Sequence, residues 1–122
     1  MEVIFTEEQL REKCAKWQRI LRLQDWNVRT SIVRERDMRT SGGNAEISVN
    51  IQHRLADLRL LDPIDFNPND HNPQDMEQHL VHELLHIHLW PFTEELNGPL
   101  ADAEEQAINM IAGALIRLHR HG

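Results

Sequence analysis

Two hydrophobic periods alternate along this chain, and each change of period marks a new element. From Thr6 to about Leu23, Leu10, Cys14, Trp17 and Leu21 recur every three or four positions, which predicts an amphipathic helix. Thr6-Glu7-Glu8-Gln9 has the capping-box form that opens one, hydroxyl and amide each serving the other residue's backbone N–H. Trp26 to Val33 reads as a strand, followed by a polar turn around Ser41-Gly42-Gly43-Asn44. Ala45 to Ile51 then alternates apolar and polar strictly, the period of a half-buried strand. Residues 61 to 73 contain Pro63, Pro68 and Pro73 and read as an irregular connection.

The helical period returns after that connection. Asn72-Pro73 is suited to starting a helix, and no Gly or Pro follows until Trp90, where Pro91 is expected to stop it. Met76, Leu80, Leu84 and Ile87 form the stripe to be buried. A last helix is predicted from Leu100 to about Leu118, introduced by Asn97-Gly98-Pro99, with Ile108, Ile111, Ala112 and Leu115 as its apolar stripe. The expected architecture is one α+β domain spanning 1–122: an N-terminal helix, a small antiparallel sheet, and two C-terminal helices.

The chemistry sits in the first of those two helices. His82-Glu83-Leu84-Leu85-His86 is an H-E-x-x-H pattern, and residues four apart stack on one helix face. Both imidazoles can therefore reach one metal ion. Glu83 is offset by about 100° around the axis, beside a water rather than on the metal. Two nitrogens with room for a third ligand and a water describe a catalytic zinc site, suited to water attack on a carbonyl.

A third protein ligand is needed. The extended pattern with Gly and His further along fails, because Leu89 and Phe92 stand at those positions. His119 and His121 lie more than thirty residues past His86 and are poorly placed. Glu104 and Glu105 precede the apolar stripe of the last helix, and a carboxylate at such an edge is costly unless paired or metal-bound. One of the two is expected to close the site.

H-E-x-x-H on one helix with a Glu on the next resembles the gluzincin peptidases, and the short layout is similar to minigluzincins and to metallopeptidases encoded in phage and prophage genomes. The resemblance covers roughly residues 20 to 118. Related regulatory proteases carry E-x-x-A-N-x-apolar-Ala on the second helix. Glu105, Asn109, Ile111 and Ala112 fall on that pattern, with Ile108 replacing the first Ala. The resemblance implies a zincin-like fold, Zn²⁺ held by His82, His86 and Glu105, Glu83 as general base, and Asn109 orienting a ligand. It further implies that a rim strand, here 45–51, pairs with an extended substrate. Such enzymes commonly use a Tyr or His for the oxyanion. This chain has no Tyr, which leaves His79, His88, His119 or an Arg.

Composition narrows the function class. Forty per cent hydrophobic and 27% charged residues are ordinary for a globular protein, with no apolar run of membrane-spanning length and no leader pattern at the start. The single Cys14, on the apolar face of the first helix, is a buried thiol compatible with a reducing cytoplasm. Residues 1–60 hold 11 basic and 9 acidic side chains, whereas residues 61–122 hold 2 basic and 11 acidic with seven of the eight histidines. The acidic half favours divalent cations, and the net charge of −7 argues against nucleic-acid binding.

The expectation is a cytoplasmic, monomeric zinc metallopeptidase acting on a protein or peptide, with no membrane or nucleic-acid partner. Two other readings stand beside it: a hydrolase of another amide or ester, and a zinc-stabilised regulatory or binding protein with little turnover. Asp70-His71 in the 61–73 connection and the His119-Arg120-His121-Gly122 tail are candidate controls on access to the site.

Overall fold

The computed structural model describes residues 1–40 and 42–122, so Ser41 of the expected turn lies outside the described residues. Helix α1 (Glu7–Ile20) is followed by strands β1 (Asn27–Val33), β2 (Ala45–Asn50) and β3 (Leu55–Leu61), then helices α2 (Met76–Thr93) and α3 (Gly98–His121). Single turns of 3-10 helix occupy Glu35–Asp37 and Pro63–Asp65. The fold is α+β, three helices with a small sheet.

The sheet departs from the expected antiparallel one. Its order is β1-β3-β2, with β1 parallel and β2 antiparallel to the central β3. A short turn forces β2 and β3 antiparallel, with Arg54 at φ 51 donating its backbone N–H to the Ile51 carbonyl at 3.3 Å. The chain leaving β1 crosses the end of the sheet to start β2. The centre stays free for β3, which enters beside β1 in the same direction. Ala56, Leu58 and Leu60 of β3 face the core fully buried.

The Thr6–Gln9 capping box is present at both bonds, 2.9 and 3.1 Å, and Leu10, Cys14 and Trp17 of α1 are buried. α1 ends at Ile20, before the expected Leu23, because Arg22 adopts φ 63. α2 begins at Met76 rather than Pro73. The backbone there is committed elsewhere: Val3 N–H donates to Gln74 O at 2.9 Å, Met76 N–H to Val3 O at 2.8 Å. Asp75, not Asn72, is the cap, its carboxylate accepting from the Gln78 N–H at 3.1 Å. Pro91 lies inside α2. So near the end it removes only one donor, and the helix continues to the Glu94 N–H, which donates to the Trp90 carbonyl at 3.1 Å. α3 runs three residues beyond Leu118.

α2 is buried along Met76, Leu80, Leu84 and Ile87, as its spacing predicts, and Val81 joins them. On α3, Ile108, Ala112 and Ile116 are the buried positions, whereas Ile111 is 48% exposed and does not belong to the core stripe. Among the described residues no helix is long and apolar enough to cross a membrane.

Glu77, 5% exposed, is kept charged by Trp17 Nε1 at 2.9 Å, Arg120 Nη2 at 3.2 Å and Lys13 Nζ at 3.8 Å. Arg120 also grips both oxygens of Asp75, at 2.9 and 3.0 Å. Burial alone would raise both carboxyls, but Arg120 and the other donors outweigh it and hold them below the usual range. A depressed native value contributes stability above the unfolded carboxylate range, lost as pH falls through the native value. Arg120→Ala is therefore expected to cost about 1.5–3 kcal/mol in urea unfolding at pH 7. The difference from the native chain should shrink as the pH is lowered below about 4.

Candidate metal centre

The burial of α2 decides which way its histidines point. With Met76, Leu80, Leu84 and Ile87 in the core, His82 and His86 fall on the remaining arc, both only 12% exposed at the side chain. α3 packs antiparallel along that arc, and its contacts with α2 descend in order. Thr93 meets Glu104, His86 meets Glu104 and Glu105, His82 meets Glu105 and Asn109, and Asp75 meets Arg120.

One carboxylate reaches both imidazoles. Glu105 Oε2 lies 3.0 Å from His82 Nε2, and Glu105 Oε1 lies 2.9 Å from His86 Nε2, with the two Nε2 atoms 3.3 Å apart. His82, His86 and Glu105 are the group able to hold a metal ion among the described residues. Glu104 is the more buried of the two glutamates, at 12% against 52% exposed, so burial alone would select the other residue. Glu104 instead stands 3.4 Å from His86 Nδ1, on the far side of the ring, and accepts from the Thr93 hydroxyl at 2.7 Å. Asn109 Oδ1 stands 2.8 Å from His82 Nδ1. That Glu104 would orient His86 had no signature in the sequence beyond the adjacent Glu pair.

Proton bookkeeping tests whether a cation fits. Burial lowers the pKa of His82 against the opposing pull of Glu105. In the tautomer with its proton on Nδ1, donated to the Asn109 oxygen at 2.8 Å, Nε2 presents a lone pair suited to a metal. At 3.0 Å that lone pair faces a carboxylate oxygen. A proton on Nε2 or a metal ion between the two satisfies the pair. Ligands about 2.0–2.1 Å from a tetrahedral ion stand roughly 3.3 Å apart, close to the separations here.

Glu83 is 8% exposed. Burial pushes its carboxyl up to about 8, and the neighbouring Glu105 and Glu46 carboxylates add to the rise. A divalent cation opposes that rise.

The remaining histidines are separated by the structure. His88 Nε2 sits 2.7 Å from the Leu21 carbonyl. His119 packs edge-on against Trp17, with Lys16 Nζ 2.6 Å from its Nε2. Neither serves the cluster. The tail expectation is overturned as well: residues 119–121 are helical and Arg120 fixes them on Asp75, away from His82 and His86. His79 lies one turn before His82, with its Nδ1 buried and unpartnered, and borders a cavity of about 650 Å³ that Asp70 also lines.

A scan against protein-family models finds no match, and neither do searches of curated proteins and of solved structures.

Metal per chain, counted by mass spectrometry, should fall from one to none in Glu105→Ala. Glu104→Ala and Asn109→Ala should retain a site weakened about 10–100-fold in competition with a chelator.

Proposed function

We propose that this chain is a zinc-dependent peptidase of gluzincin-like design. The observation that carries the reading is the convergence of His82, His86 and Glu105, whose ligand atoms lie within 4.8 Å of one another. Two imidazole nitrogens and one carboxylate oxygen are a donor set that suits zinc, with a coordination position left for a reactant. Zinc held by His82, His86 and Glu105 would supply Lewis acidity, polarising the scissile carbonyl and acidifying water.

The chain's own groups do the rest. Glu83 takes the proton of the attacking water and returns it to the departing amine. Asn109 and Glu104 hold the two imidazoles with their Nε2 lone pairs turned inward. His79, one turn before His82, is the histidine left as a candidate for the oxyanion, since His88 and His119 are committed elsewhere. β2 pairs only with β3 among the described residues and lies against α2. Its other edge can add an extended peptide as a further strand.

A second reading, a zinc-stabilised regulatory or binding protein with little turnover, draws support from the lack of any Tyr in the chain. Glu83→Gln separates the two. It should keep the metal and the fold while hydrolysis of a fluorogenic peptide library falls about 10²–10⁴-fold. Equal hydrolysis by native and variant protein would remove Glu83 from the chemistry. Full cellular function of the variant would favour the binding reading, and parallel assays on acyl amides and esters fix the substrate class.

A further inference from the structure

β2 has two faces, and only one of them is spent on the core. Ala45, Ile47 and Val49 pack against the buried cluster, which turns Glu46, Ser48 and Asn50 to the opposite face of the sheet. Glu46 is structural there. It takes Arg59 Nε at 2.6 Å and the backbone N–H groups of Arg39 and Thr40 at 2.9 and 2.8 Å. Ser48, two residues on, is served differently: Arg39 Nη1 donates to its Oγ at 3.1 Å and Arg59 Nη2 at 2.9 Å.

Those two bonds occupy both lone pairs of the hydroxyl. The Ser48 proton is thereby turned away from both guanidiniums, and no acceptor among the described residues receives it. Arg39 has no carboxylate within ion-pair distance among the described residues, and Arg59 shares Glu46 with two backbone donors. The other acid on this face, Asp57, stands opposite Ser48 on β3 and forms an ion pair with neither guanidinium; across the sheet its partner in register is Arg29 of β1. Two guanidiniums and a hydroxyl proton thus meet around Ser48 with one carboxylate already fully used. The group that completes such a donor set is a further carboxylate.

We infer that Arg39, Ser48 and Arg59 recognise an acidic side chain, Asp or Glu, of a peptide added along the free edge of β2. The inference rests on the peptidase reading for the extended substrate and names a residue class that substrate carries. β2 lies against α2, and its edge away from β3 has no strand beside it among the described residues. A peptide paired there sets alternate side chains on the face of Ser48, and the one directly opposite has its Cβ about 5 Å from the serine Cβ. A Glu at that position reaches both the Ser48 hydroxyl and the Arg39 guanidinium. The chain as a whole, at −7, repels acidic peptides, so a preference for an acid at one position has to come from these fixed donors.

Fluorescence anisotropy with the zinc-loaded Glu83→Gln chain tests it. The probes are labelled peptides of mixed sequence in which one position at a time is fixed as Glu or as its isostere Gln. One position should bind about tenfold more tightly with Glu than with Gln, as a charge-assisted contact on a partly exposed surface allows. Arg39→Ala should bring that ratio close to one while the affinity for the Gln peptides stays unchanged, and Arg39→Lys should keep part of it. Residue 39 still donates its backbone N–H to Glu46 in either variant, so circular dichroism should match the parent chain. Equal binding of Glu and Gln peptides at every position overturns the inference, as does the absence of any peptide binding. A Glu preference that survives Arg39→Ala overturns it too, and so does one spread evenly over all positions, which is attraction without register. Hydrolysis of the same peptides by the native chain separates this inference from the reading beneath it. Cleavage with no preference for Glu removes the acidic subsite and leaves the peptidase standing; a position-specific preference without cleavage does the reverse.

Discussion

The antiparallel packing of α3 along the one open arc of α2 is the constraint on which the centre depends. Met76, Leu80, Val81, Leu84 and Ile87 bury α2 against the sheet and α1, leaving it no rotational freedom. The register of α3 is then fixed at both ends, by the Thr93–Glu104 hydrogen bond beside the connecting turn and by Arg120 on Asp75 at the far end. A slip of one residue would rotate Glu105 by about 100° and take its carboxylate off both imidazoles. The core thus supplies the orientation, and two polar contacts supply the register.

Much of this was legible in the sequence because it is local. A helical period with H-E-x-x-H inside it determines the face shared by His82 and His86 whatever packs against it. The capping box of α1 is equally self-contained. What failed was non-local. Val3 claims the backbone at Gln74 and Met76, which moves the cap from Asn72 to Asp75. In β3, Ala56, Leu58 and Leu60 alternate with Asp57 and Arg59, the mark of a strand with one buried face. Nothing in its composition announces that it will enter the sheet between two earlier strands, one of them parallel. Ile111 shares the helical period of the core stripe yet stays exposed, because periodicity cannot tell which of two apolar faces will be covered.

Electrostatics sets this cluster apart from the structural carboxylates. Glu104 and Glu105 meet the two imidazoles and Glu83 lies near Glu105, with no Lys or Arg paired to them among the described residues. Only two arginines belong to the C-terminal half, and Arg120 is spent on Asp75 and Glu77. Glu46 shows the contrast. It is equally buried and also near Glu83, yet it takes Arg59 at 2.6 Å and the backbone N–H groups of Arg39 and Thr40. A buried carboxylate in this fold is matched by fixed donors where it is structural. At the His82–His86–Glu105 cluster no such fixed cation is present among the described residues, which suits it to the metal proposed above.

The same economy bears on His79 under the peptidase reading. Burial lowers its pKa, which favours a neutral ring beside the histidine cluster. Its Nδ1 is enclosed without a partner, and an enclosed lone pair is less costly there than an enclosed N–H with no acceptor. The proton therefore belongs on Nε2. A neutral ring presenting one N–H can donate to a developing oxyanion and adds no positive charge to repel the cation. A protonated ring in that position would do both. The burial that keeps His79 uncharged thus suits it to the role that Tyr, absent from this chain, commonly fills in gluzincin-like enzymes.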